Sequence, residues 1–338
     1  MKLYSGIDLH SNNSVVTMID EKGLTVYEKR HRNDIETIKQ VLMPHRDSLQ
    51  GIVVESTYNW YWLVDGLQAE GFVVHLANTA AIQAYSGKKH TDDKSDARWL
   101  AEMLRLSLLP KGYIFPKETR TVRDLARKRL QIVSQRTRNV LCLQSMITRL
   151  TAKTLRCSDI KKMNEQDLQK ILPDQNDFIS ARSNLHFIHH LDREETEIEK
   201  ALLDQVKLTN SYEKLLLVPG VGKKLAITIM LETGDINRFS SSGNYASYCR
   251  CVGSRRESNG KKKGENNRKN GNQYLCWAFM EAANFAIRHY PVVQKFYQKK
   301  QSKKGMAIAR KAIAHKLSRA CYHVLKTGEE FEMSKMFM

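Results

Sequence analysis

Four carboxylates stand where chemistry could be done: Asp8, Glu55, Asp93 and Asp96. The last two open a helix that begins in Thr91-Asp92-Asp93-Lys94-Ser95-Asp96. At about 100° per residue both fall on the side of Ala97, Leu100, Met103, Leu104 and Leu108, whereas Lys94, Arg98, Glu102 and Arg105 fall opposite. The acids are therefore expected to face inward. Burying one carboxylate is costly and burying two neighbours costlier, so such a pair shares protons or binds a cation. A plainer alternative has Asp92 or Thr91 capping the helix and Asp93 complementing its dipole; it leaves Asp96 unaccounted for.

The elements that must position these residues follow from the pattern of the first third. Residues 2–10, 13–20 and 24–30 read as three strands, punctuated by Asn12-Asn13 and Glu21-Lys22-Gly23. A helix near 34–45, a strand at 51–55, an aromatic helix at 57–70, a strand at 72–76 and the acid-bearing helix complete the order βββαβαβα. That is the order of a ribonuclease-H-like core. Asp8 then lies in the first strand and Glu55 at the end of the fourth. Either alone reads as a solvated strand end. Four converging acids without compensating Lys or Arg call for divalent cations, with Mg²⁺ the expected ion. Two ions about 4 Å apart would clamp the attacking and leaving oxygens of a phosphoryl transfer.

The chain of 338 residues is long enough for two or three domains, and its net charge of +19 is unevenly spread. Residues 1–110 hold 12 basic and 14 acidic side chains, so the remainder carries +21. An acidic pocket beside a strongly basic remainder points to a phosphate-rich polymer. The six cysteines form no metal-binding pattern and read as reduced thiols. With no signal-peptide pattern, and no apolar run near the roughly 20 residues needed to span a bilayer, a cytoplasmic protein is expected.

Two long helices, from Glu118 to about Leu150 and over roughly 180–207, are joined by a polar connection and read as an antiparallel coiled-coil arm or an ordinary bundle. Such a pair suits protomer contact. Next, Pro219-Gly220-Val221-Gly222-Lys223 before an apolar helix has the form of a helix-hairpin-helix turn, whose glycines let backbone amides approach a phosphate. Residues 253–272 contain seven basic side chains, Arg255, Arg256, Lys261, Lys262, Lys263, Arg268 and Lys269, against Glu257 and Glu265. Such a stretch is expected to be disordered alone and to order on a phosphate backbone. A basic amphipathic helix near 295–326 closes the chain.

GIDLHS at the start, VVES at the fourth strand, DKSDA at the acidic helix, PGVGKKLAITIMLETGDINRF and SNGKKKGENNRKNGNQYL together resemble the transposases of DEDD insertion sequences. That family is related to the Piv-type DNA invertases and includes the bridge-RNA-guided recombinases. The resemblance implies a RuvC-like domain over 1–110, a helical arm over 111–212 used in oligomerisation, and a mostly helical transposase domain over 213–338. It makes Asp8, Glu55, Asp93 and Asp96 the metal-binding acids. It also implies a serine that attacks DNA and holds it as a phosphoserine, a position taken here by Ser258, with Ser254 a weaker candidate. Asn259 stands where the family commonly has glycine, and Glu265-Asn266-Asn267-Arg268-Lys269 where an Ile-Ser-Lys run is common. Expected partners are donor and target DNA, a noncoding guide RNA, and further copies of the chain in a dimer that assembles to a tetramer. Rival readings are a RuvC-like junction-resolving nuclease using activated water, and an architectural binding protein with degenerate acids.

Overall fold

The computed structural model describes residues 1–82, 92–206, 210–253, 256–264 and 270–337. Thr91, Ser254, Arg255, Arg268 and Lys269, and the run from Glu265 to Lys269, lie outside the described residues. The chain divides into two compact units: residues 1–117 with the hairpin at 256–264, and residues 118–253 with 271–338. Among the described residues no helix is long and apolar enough to cross a membrane.

The first unit is a mixed sheet. Its strands are β1 (Leu3–Leu9), β2 (Asn13–Asp20), β3 (Thr25–Arg32), β4 (Leu49–Glu55), β5 (Val74–Ala77) and β6 (Lys111–Gly112), interrupted by α1 (Ile35–Leu42), α2 (Tyr61–Ala69) and α3 (Asp93–Arg105). The spatial order is β3-β2-β1-β4-β5-β6. β1 and β2 pair antiparallel, as do β2 and β3, whereas β1–β4 and β4–β5 are parallel. The helices between parallel strands are the crossovers such pairing demands. The two-residue β6, antiparallel to β5, is an addition to the expected order.

Burial follows the strand period of two. Ile7, Leu9, Ile52 and Val54 pack with Ile38, Leu42, Leu63 and Leu67 of α1 and α2. On the other face Val53 and Ala77 pack with Leu100 and Met103 of α3. Covered on both faces, β1 is almost wholly buried, whereas β3 at the sheet edge is charged and largely exposed.

Gly6 sets how deeply α3 sits. A Cβ there would stand 2.0 Å from the carbonyl oxygen of Ala97 and 2.7 Å from the amide nitrogen of Ala101, so helix backbone rests directly on strand backbone. Gly6→Ala is expected to cost ~2 kcal/mol or more, because backbone rather than a mobile side chain must yield. Urea unfolding of the variant measures this, and an unchanged midpoint would show that α3 does not lie against β1.

The second unit is helical: α4 (Lys117–Thr151), α5 (Cys157–Lys162), α6 (Glu165–Ile171), α7 (Gln175–Val206), α8 (Asn210–Leu216), α9 (Lys223–Thr233), α10 (Ser242–Tyr248), α11 (Gln273–His289), α12 (Pro291–Lys304), α13 (Met306–Thr327) and α14 (Met333–Phe337). Val140, Leu143 and Ile147 of α4 share one apolar cluster with Ile160 of α5, Leu168 of α6 and Leu185 and Ile188 of α7. The two long helices are thus joined by two short ones that complete a small core. A larger cluster centres on Tyr245, Phe279 and the alanine face of α11.

Interrupting the second unit in sequence, β7 (Arg256–Ser258) and β8 (Lys261–Gly264) pair antiparallel, with Ser258 opposite Lys261. The stretch expected to be disordered thus holds a hairpin. Its turn, Asn259-Gly260, has φ of 52° and 69°, the left-handed pair that a two-residue hairpin loop needs. Asparagine tolerates that region better than other side chains, which explains how Asn259 can stand where glycine is common.

Candidate active site

The parallel register aligns Ile7 with Val54, so Asp8 and Glu55 follow as neighbours at the carboxyl ends of β1 and β4. By strand alternation Gly6, Asp8 and His10 share the face that α3 covers. The helix begins with a reciprocal cap: the Asp92 carboxylate accepts from the Ser95 amide, while the Ser95 hydroxyl accepts from the Asp92 amide. Capping therefore uses Asp92 and leaves Asp93 and Asp96, in the first turn, facing the strand ends.

The four acids interact. Burial first, then a hydrogen bond to Asp8 and the charges of Asp8 and Asp96, push the Glu55 carboxyl up to about 8. Asp8 is 4% exposed. The expectation that both helix acids turn inward is corrected: Asp93 is half-buried and Asp96 exposed, because the first turn of α3 sits at the mouth of the cluster.

Two further partners of the acids were not legible beforehand. His10 Nε2 lies 3.1 Å from Asp8 Oδ2 and 3.3 Å from Asp93 Oδ2. Arg30 reaches from the edge strand to place Nη2 2.5 Å from Asp93 Oδ2 and Nη1 2.9 Å from Asn13 Oδ1. Arg30 thus partly compensates the cluster, contrary to the sequence expectation. His10 carries a faint signal, standing two residues past Asp8 in GIDLHS. Arg30 carries none, since it meets the acids only through the register Asp8–Val15–Arg30 across three strands.

The donor set fits a divalent cation. Oxygens of Asp8 and Asp93 and the His10 imidazole offer ligand atoms within 4.8 Å of one another, a spacing one ion can bridge with ordinary bonds. Although Nε2 is so near two carboxylate oxygens, it is out of solvent contact and makes no hydrogen bond of acceptable angle. With rising pH the metal-free protein is expected to lose stability from about pH 5 to about pH 8. The unfolded chain releases the Glu55 proton near 4.5 while the folded chain keeps it to about 8, so alkali favours unfolding. Thermal melts across that range should show this slope without added metal, and should lose it with a saturating divalent cation.

Other expected residues are dispersed. Ser258 is exposed at the end of β7, beside the hairpin turn. Lys261 and Lys263 are exposed on the hairpin, while Arg256 and Lys262 lie in its strands. Gly220 is better explained by packing than by phosphate approach: with φ of 78°, a Cβ there would stand 2.1 Å from the Ala282 carbonyl of α11. Gly222 caps α9, where a Cβ would meet nothing within 4 Å, and Lys223 is exposed beside it.

Sequence reasoning also missed a buried ionic cluster in the helical unit. Glu232, 2% exposed, accepts from Arg127 Nε at 2.5 Å and Nη2 at 2.9 Å, from Arg123 Nε at 3.3 Å and from Asn272 Nδ2 at 2.7 Å. Asn272 caps α11 immediately after the basic stretch, and its amide donates to the Tyr248 carbonyl at 2.6 Å.

Comparison with known families places these features. The IS110-type DEDD transposase model matches residues 5–152, which span the sheet and α4. A second, described as the transposase IS116/IS110/IS902 family, matches residues 212–298, which include the hairpin and α11. No curated protein matches the chain. Two models of one family, matched in order and covering between them the acids and the basic hairpin, make the chain a DEDD-type insertion-sequence transposase, an enzyme that acts on DNA with a divalent metal.

Proposed function

We propose that the protein is a site-specific recombinase that cuts and rejoins the DNA of its own insertion sequence, with Asp8, Glu55, Asp93 and Asp96 as metal-binding acids on a RuvC-like domain and Ser258 as nucleophile. The observation that supports the reading is that oxygens of Asp8 and Asp93 lie within 4.8 Å of one another, beside a Glu55 carboxyl that burial and the charges of Asp8 and Asp96 push up to about 8. Two Mg²⁺ ions bound there would neutralise the scissile phosphate and favour the ionised serine hydroxyl. Oγ of Ser258 forms a bond to phosphorus as the bond to the leaving deoxyribose oxygen breaks, and the hydroxyl proton ends on that oxygen. One ester is exchanged for another, so the cut remains reversible and rejoining needs no other energy source.

Three further parts belong to this reading. Arg255, Arg256, Lys261, Lys262, Lys263, Arg268 and Lys269, with the Gly222-Lys223 helix start, hold nucleic-acid backbone. The α4–α7 arm brings protomers together as a dimer that assembles to a tetramer, since strand exchange needs several nicks held at once. A guide RNA selects donor and target by base pairing.

The test is the product on a denaturing gel after reaction with Mg²⁺ and native flanking DNA. A protein–DNA adduct present in the wild type and lost in Ser258→Ala is expected, with RNA recovered from the purified complex. Free DNA ends, with Ser258→Ala fully active, would instead establish a nuclease that activates water.

A further inference from the structure

We infer that His10 is a nitrogen ligand of the cation held by Asp8 and Asp93, making this a mixed nitrogen and oxygen site that favours a first-row transition ion such as Mn²⁺ over Mg²⁺. The inference rests on the reading of the acids as a metal site and adds to it a donor of different chemistry.

Three observations converge on His10. The first is its placement two residues past Asp8 on the same face of β1, with Nε2 at 3.1 and 3.3 Å from oxygens of the two acids. The second is the state of that nitrogen. An imidazolium acting as counter-ion would aim its N–H along one of those two lines, yet neither contact has the angle of a hydrogen bond, and the atom is closed off from water. A ring nitrogen closed off from water and without a hydrogen bond is destabilising, and a shared cation satisfies it together with both carboxylates.

The third is how firmly the residue is held. The His10 amide donates to the Asn13 carbonyl at 2.9 Å, and its own carbonyl accepts from the side-chain amides of Asn33 and Asn59, each at 2.9 Å. Asn33 in turn accepts from the Ser14 hydroxyl, and Asn59 from that of Thr57. Side chains from two separate loops fix the backbone of one residue beyond the strand end, as second-layer contacts commonly do around a metal. Asp93 Oδ2 also accepts from Arg30, but a carboxylate oxygen has two lone pairs, so arginine and ion can share it.

The consequence is selectivity. Mg²⁺ prefers oxygen and parts reluctantly with water, whereas imidazole strengthens binding of transition ions. Full-length protein loaded with Mn²⁺ is examined by pulsed electron paramagnetic resonance, and Mn²⁺ and Mg²⁺ affinities are measured by calorimetry. Nitrogen modulation of the manganese signal is expected in the wild type and absent in His10→Gln, which should lose about tenfold or more in Mn²⁺ affinity and much less for Mg²⁺. His10→Asn provides a second variant, and the wild-type spectrum stands whether or not either variant folds. Bound manganese without nitrogen coupling, or an unchanged Mn²⁺ to Mg²⁺ preference in the variants, overturns the role of His10 and leaves the acids as ligands. Failure of the wild type to bind Mn²⁺, or undiminished binding in Asp8→Asn, overturns the acid site itself and the inference with it.

Discussion

Asp8→Asn is expected to lower DNA strand cleavage by at least ~10³-fold while leaving the metal-free fold as stable as the wild type or slightly more so. Asp8 is the acid most deeply buried, and it meets both Glu55 and His10. An amide keeps its shape but loses the charge that would draw a cation between Asp8 and Asp93. The same charge is unfavourable when no cation is present, since with burial and Asp96 it forces Glu55 to keep its proton. Removing it relieves repulsion, and the melting temperature of metal-free protein should stay level or rise by ~2 °C. Cleavage assays with divalent metal, paired with melts in chelator, test both halves. Cleavage within tenfold of wild type would remove Asp8 from the metal site, and a large fall in melting temperature would mean its role is structural.

Glu232→Ala is expected to be the most destabilising single change, at ~3–5 kcal/mol, because it strands two arginines against a buried site. Burial works against the Glu232 charge, yet hydrogen bonds and charge from Arg127, the charge of Arg123 and the amide of Asn272 hold its carboxyl below the usual range. Arg127 also lies over the Tyr274 ring at 4.4 Å, whereas Arg123 is buried and would be left facing the emptied site. Since the folded value is depressed, this stabilisation is present at neutral pH and is lost as acid protonates Glu232. Urea unfolding of the variant at pH 7 should show the deficit, and Glu232→Gln, which keeps an acceptor oxygen, should lose less. Equal stability of wild type and Glu232→Ala would mean that the cluster is wet and its charges screened.

Much of the sheet was legible because its signals are local. Alternation, the turns at Asn12-Asn13 and Glu21-Lys22-Gly23 and the spacing of helices give βββαβαβα in order, and Asp8 and Glu55 stand out as charges in otherwise apolar strands. Asp93 and Asp96 were legible by helical period, although period alone places them on a face and says nothing of depth. What escaped depends on register or on distant contact. Arg30 meets Asp93 only because three strands align, and Gly220 is glycine because α11, some sixty residues later, lies against it. The hairpin at Ser258 was hidden by composition: lysines and glycines suggest disorder, and only the left-handed pair Asn259-Gly260 identifies the turn.

That turn has only two residues, and it places Ser258 directly across from Lys261. Side chains so paired leave the same side of a ribbon with their first carbons about 5 Å apart, so an ammonium travels wherever the hydroxyl goes. Hydroxyl and positive charge are in this way held side by side by backbone geometry alone. One residue inserted at the tip would turn the lysine to the opposite side, separating the two without altering the chain's charge.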